Sequence, residues 1–183
     1  MDFNTQKDMK GIYTLILMFL IPLSSWAQSI VPTDWTGIYK GTLDIYKKDT
    51  IAHKVKMVLE INAKVKDSVF DWKISYDFKG ETDVREYEII LQDRKKGYYL
   101  LDEKNSIFLD GYLNLNVLTF FYNVMDSFLV TEYTFNKDDS ITFDLISGLD
   151  QPNISGEGVE EVPKVLSYPI NGRQKAKLVK VPD

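Results

Sequence analysis

The sequence contains no cysteine among its 183 residues. That absence excludes disulfide scaffolds, thiolate zinc and iron–sulfur sites, thiol catalysis, and lipid attachment through a cysteine. Histidine is nearly absent as well. His53 stands alone, which excludes catalysis or metal binding that needs two imidazoles. Gly (10) and Pro (6) are too scarce for collagen-like or low-complexity chains. Positive charge is not in excess either. Lys and Arg number 22 against 27 Asp and Glu, giving a net charge of −5, the wrong sign for holding a phosphate backbone, so no nucleic-acid partner is expected. No GxSxG, P-loop, HExxH or EF-hand pattern occurs. No cofactor and no metal are therefore expected, and an enzymatic role is less favoured than a binding one. What the chain does have is 44% hydrophobic and 13% aromatic residues, enough for one ordinary folded domain.

The first 27 residues read as a signal peptide. Lys7 and Lys10 sit in a polar start, and Gly11–Leu23 is an uncharged apolar run. Ser25 and Ala27 then occupy the −3 and −1 positions for cleavage before Gln28. The run is short for a hydrocarbon core of about 30 Å, and Pro22 and the small-residue site favour removal over a retained anchor. Removing 27 of 183 residues leaves a domain of 156, residues 28–183. The remaining chain has no apolar run of about 18 residues, so no transmembrane helix is expected in it. The expected location is outside the cytoplasm: periplasm, cell surface or medium.

The mature chain alternates with period two almost throughout. From Trp35 the odd positions read Trp35, Gly37, Tyr39, Gly41, Leu43 and Ile45, with Thr36, Lys40, Thr42 and Asp44 among the even ones. Ile51, Val55, Met57, Leu59 and Ile61 alternate with Lys54, Lys56, Glu60 and Asn62, and Phe70, Trp72, Ile74, Tyr76 and Phe78 form a third apolar face. Such strands have one side in water and one in a core. Further strands are expected at 83–92, 97–103, 106–113, 116–124, 128–135 and 140–147, with weaker ones at 165–170 and 175–181. Residues 150–163, with Pro152, Gly156, Gly158 and Pro163, read as a loop. Tight turns between consecutive strands favour an all-β, antiparallel up-and-down meander that closes into a barrel of about 8–10 strands, because closure removes exposed edges. The alternative is a two-sheet β-sandwich.

The opening Asp34-Trp35-Thr36-Gly37-Ile38-Tyr39-Lys40-Gly41, followed by up-and-down strands, resembles the calycin superfamily, which includes lipocalins and fatty-acid-binding proteins. In the lipocalin pattern Gly precedes Trp, whereas here Trp35 precedes Gly37. The resemblance implies an internal cavity for a small hydrophobic or amphipathic ligand. Plain packing is the competing account of Trp35, Gly37 and Gly41. A ligand cavity would need about 300 Å³ or more on the apolar faces.

Two polar residues lie on apolar faces: His53 beside Ile51, Val55 and Met57, and Arg85 beside Tyr87, Ile89 and Leu91. A guanidinium there holds a ligand carboxylate through its planar fork, or else sits at the rim, paired with Asp83 or Glu86. For His53 the alternatives are a ligand hydrogen bond, the axial position used in related haem-binding barrels, or a strand-end histidine. Trp72, Tyr76, Phe120, Tyr122 and Tyr133 are candidate cavity-lining aromatics, with phenols to orient a ligand, or else simply core. The candidate ligand-binding set is thus Arg85, Tyr87, His53, Trp72, Tyr76, Phe120, Tyr122 and Tyr133. Asp102, Glu103 and Asp110 flank a turn and read as solvated carboxylates. A second reading of the whole is a cell-envelope module that meets a protein or glycan through exposed aromatics such as Tyr46, Tyr99 or Phe121. Finally, Asp49-Thr50-Ile51, Asp67-Ser68-Val69 and Asp139-Ser140-Ile141 resemble the O-glycosylation signal of exported Bacteroidota proteins. The same triplets are also ordinary turn chemistry before a strand.

Overall fold

Alternation of apolar and polar residues leaves each strand one face to bury, and a closed sheet buries all of these faces at once. A computed structural model describes residues 35–156 and 163–182. The expected cleavage point at Ala27-Gln28 lies outside them. Nine strands follow one another: β1 (Gly37–Lys47), β2 (Thr50–Val65), β3 (Val69–Phe78), β4 (Glu81–Asp93), β5 (Tyr98–Asp102), β6 (Phe108–Asn114), β7 (Val117–Val124), β8 (Ser127–Phe135) and β9 (Ile141–Leu149). Each pairs antiparallel with its successor. After β10 (Asn153–Gly156) and β11 (Val165–Ser167), β12 (Ile170–Lys180) pairs with β9 on one side and β1 on the other. The result is a closed ten-stranded barrel. The sandwich alternative is thereby excluded.

Two expectations are corrected. Residues 150–163 are not simply a loop, because Asn153–Gly156 pairs with Val165–Ser167 in a separate two-stranded sheet. Strands of four and three residues are too short for alternation to show. The weak segments at 165–170 and 175–181 resolve into the short β11 and one long β12.

Turn chemistry sets the register. Met125 and Asp126, between β7 and β8, both have positive φ (47° and 61°), as a two-residue turn matching strand twist requires. Asp77 accepts a hydrogen bond from the Gly80 amide, and Asp102 from that of Lys104, each holding its turn.

The outside is charged. Asp44 faces Lys54, Glu60 faces Lys73, and Asp144 faces Lys175 in register, with ion-pair distances of 2.8, 3.5 and 3.5 Å. A lipid-facing barrel would carry an apolar band there, so this outer face suits water.

The inside is packed hardest at one end, where β1 starts and β8 finishes. Trp35 stacks on Phe135 with ring centroids 3.5 Å apart and planes 7° from parallel. The Tyr39 hydroxyl donates to the Trp35 carbonyl at 2.9 Å. Gly41 lies at the seam where β1 meets β12, and a methyl group there would run into the Lys177 carbonyl oxygen and the Leu178 side chain. Gly41→Ala should therefore pry the closing strands apart and cost about 1–3 kcal/mol. A urea midpoint equal to that of the parent would contradict this account of the seam.

Candidate functional site

The two ends of the barrel differ in what the inner face carries. At the Trp35 end it is apolar and buried: Leu59, Ile61, Phe70, Ile89, Leu118 and Leu178 are all within 1% of full burial. Toward the other end, where β3 turns into β4 and β7 into β8, polar atoms enter the same face. Tyr76 closes β3, Arg85 and Tyr87 open β4, Tyr122 closes β7, and Thr131 and Tyr133 lie on β8. These residues, with Ile74, Leu101, Glu103, Leu109, Phe120, Phe143 and Leu145, surround a cavity of about 60 Å³ that is partly open to solvent. All the space between its walls, open solvent included, amounts to about 440 Å³. The sheltered volume falls short of the 300 Å³ expected from the sequence. The aromatics counted as lining a cavity also fill it: Tyr133 meets Phe143 at 5.3 Å and Phe120 at 6.5 Å between ring centroids.

Arg85 sits at the rim, with 55% of its side chain exposed, and its Nε donates to Asp83 at 3.2 Å. Its guanidinium also lies over the Tyr76 ring, 5.5 Å from the centroid, a cation–π arrangement. Partial burial works against the Arg85 charge, but Tyr87, Asp83 and Tyr76 outweigh it and hold its pKa above the ordinary value. Burial pushes the Tyr76 phenol up to about 12 against the opposing pull of Arg85. Burial raises Tyr87 as well, and Tyr133, enclosed on all sides, still further. At neutral pH the Tyr76, Tyr87 and Tyr133 hydroxyls of the wall are therefore neutral, beside the Arg85 cation.

Of the eight candidates read from the sequence, Tyr76, Arg85, Tyr87, Phe120, Tyr122 and Tyr133 meet around this cavity. His53 and Trp72 do not. His53 is exposed and lies edge-on to Phe78 at 5.4 Å. Trp72 is 1% exposed and packs edge-on against Tyr133 at 5.0 Å, in the packed part of the core. Two polar wall residues escaped the sequence reading as site residues. Glu103 passed as a solvated turn carboxylate. Thr131 shares the inner face of β8 with Tyr133 and Phe135, which is the same polar-on-apolar signal that singled out Arg85. Thr131 is 7% exposed, and its Oγ1 has no hydrogen-bond partner among the described residues.

Other candidates also find their places. Tyr99, suggested for an outer surface, is buried at 2% exposure, because its alternation points inward. Phe121 is 65% exposed and stacks on Phe128, which in turn meets Tyr168 edge-on at 4.9 Å. Ser140 is buried, hydrogen-bonded to Asp138 and Asn136, so its triplet is turn chemistry and offers no free hydroxyl for a sugar. Thr50 is exposed and bonds the Lys47 carbonyl at 3.1 Å. Among the described residues no three His, Asp or Glu side chains cluster as metal ligands.

No protein-family model and no curated protein matches the chain. Among solved structures it is similar to the S-type phycobiliprotein lyase CPES of Guillardia theta, with a TM-score of 0.54 and 9% identity over 82% of this chain and 90% of that one. The fold is calycin-like. The calycin-like barrel here has one plugged end and one end with a small polar-rimmed cavity.

Proposed function

We propose that this is an exported small-ligand-binding protein, which holds one end of a hydrophobic or amphipathic molecule in the open mouth of the barrel. The observation that carries this reading is the convergence, at one end only, of an apolar wall with neutral phenols and the Arg85 guanidinium. The likeness to a phycobiliprotein lyase supports small-molecule use of such a barrel. A dry pocket of about 150 Å³ takes a benzene ring, so 60 Å³ admits only a small group unless half-buried wall residues such as Leu109, Tyr122 and Leu145 swing aside. Export rests on Lys7, Lys10, the Gly11–Leu23 run, and the Ser25 and Ala27 site. Protein recovered from the host should begin at Gln28, and a chain retaining Met1 would overturn this part.

Native mass spectrometry of protein purified from its own host tests the ligand directly, through a retained mass that denaturation releases. Arg85→Ala gives a second test. A hydrogen bond to a charged group contributes about 1.5–3 kcal/mol, so the variant should bind an anionic amphiphile such as nonanoate about tenfold or more weakly by calorimetry. Equal affinity would remove Arg85 from the site.

The outer aromatic surface of Phe121, Phe128 and Tyr168 favours the alternative, an envelope module for a protein or glycan. Phe121→Ser would abolish such contact without changing nonanoate binding.

A further inference from the structure

Thr131 is out of keeping with its surroundings. Its neighbours across both flanking strands are apolar, Phe120 on β7 and Leu145 on β9. Its hydroxyl is buried in the cavity wall without a partner among the described residues, and an unmade hydrogen bond at a buried group costs about as much as a made one gains, or more. Valine has the same shape and would fill this position without that cost. The polar group on the rim, Arg85, is exposed, whereas Thr131 is inside. The rest of the wall combines apolar side chains, among them Ile74, Leu101 and Phe120, with four tyrosines and Glu103.

We infer that the cavity takes a ligand with hydrogen-bonding groups at both ends, an anionic group at the rim on Arg85 and a neutral oxygen at the leading end on the Thr131 hydroxyl. Hydroxylated or keto-bearing amphipathic acids have this chemistry. The sheltered room of about 60 Å³ suits a leading group of a few atoms. The surrounding phenols, kept protonated by burial, suit a neutral oxygen better than a second charge. This inference rests on the cavity being the ligand site proposed above.

The test uses two acids that differ only at the far end, ω-hydroxyoctanoate and nonanoate, titrated calorimetrically into the mature protein and into Thr131→Val and Thr131→Ser. The ratio of the two affinities should shift about tenfold toward nonanoate in Thr131→Val. Thr131→Ser, which keeps the hydroxyl, should leave the ratio within about twofold of the parent. An unchanged ratio in Thr131→Val, with both acids bound, overturns the two-ended ligand and leaves the cavity reading standing. That is the result expected if Thr131 holds only a bound water. If the parent binds neither acid, the cavity reading falls and takes this inference with it. Ligand-free Thr131→Val should also melt a few degrees higher than the parent. A lower melting temperature would show the hydroxyl already satisfied within the protein, and would overturn the inference independently.

Discussion

Replacing Trp35 with alanine should destabilise the barrel by about 3–5 kcal/mol, which corresponds to a fall of about 10 °C in melting temperature for a domain of this size. The indole is 3% exposed and lies just before β1. It stacks on Phe135, the last residue of β8, although β1 and β8 are not neighbours in the sheet. The plug therefore ties together strands that no backbone ladder joins. Alanine removes the stacked pair and leaves a void at the packed end, where Tyr39 and Leu178 cannot close in without breaking the β1–β12 ladder. The Tyr39 hydrogen bond goes to the Trp35 carbonyl, which alanine retains, so the loss reports packing. Trp35→Phe separates the remaining contributions. It keeps a ring on Phe135 and removes the indole N–H, which has no hydrogen-bond partner among the described residues. Phenylalanine should thus cost well under half of what alanine does. An alanine variant within about 1 kcal/mol of the parent would show that the stack is ornamental.

The barrel was legible because alternation and turn chemistry agree along the chain. Lys47-Lys48-Asp49 and Lys79-Gly80 separate strands whose apolar faces fall on one side only. The closing strand was less legible. The inner side of β12 holds Gly172, Gln174 and Ala176 before it reaches Leu178, so three of its four positions are small or polar and carry little apolar alternation. Depth along the barrel was not legible at all. Trp72 and Tyr76 share one face of β3, yet one is sealed in the core and the other lines the cavity. The difference depends on how the tilted strands are staggered and on which end Trp35 plugs, and both are long-range properties. The same holds for His53, whose sequence neighbours fit an inward ligand contact and a strand-end position equally. It lies near the start of β2, at a level where the barrel no longer covers it. Cavity volume was overestimated because the count of aromatics is the same whether they line a space or fill it.

Alkaline pH should unfold this protein sooner than the charge of its surface would suggest, with stability falling between pH 10 and about 12. Burial, with a smaller contribution from Asp139, raises the Tyr39 phenol to about 12, and burial raises Tyr76 to about 12. In the unfolded chain both titrate near 10. Above pH 10 the folded state therefore binds more protons than the unfolded one, and stability falls as pH rises. The contribution of each phenol is complete below pH 10 and is lost as pH passes through the folded value. Two units correspond to at most about 3 kcal/mol per group, comparable in sum with the whole stability of an ordinary domain. Tyr133, raised well above its ordinary value by full burial, acts in the same direction. The geometry explains why ionisation at Tyr39 is costly. Its hydroxyl donates to the Trp35 carbonyl, and a phenolate there would face that oxygen with no hydrogen to offer. Tyr76 has a partial remedy in the Arg85 guanidinium over its ring, so Arg85→Ala should move its titration higher still. The measurement is the urea midpoint against pH for the parent, Tyr39→Phe and Tyr76→Phe. Each Phe variant should show a shallower decline between pH 10 and 12 than the parent, because one group with a shifted proton equilibrium has been removed. Declines of equal slope in all three would mean that lysine titration at the surface, and not these two phenols, governs the alkaline limit.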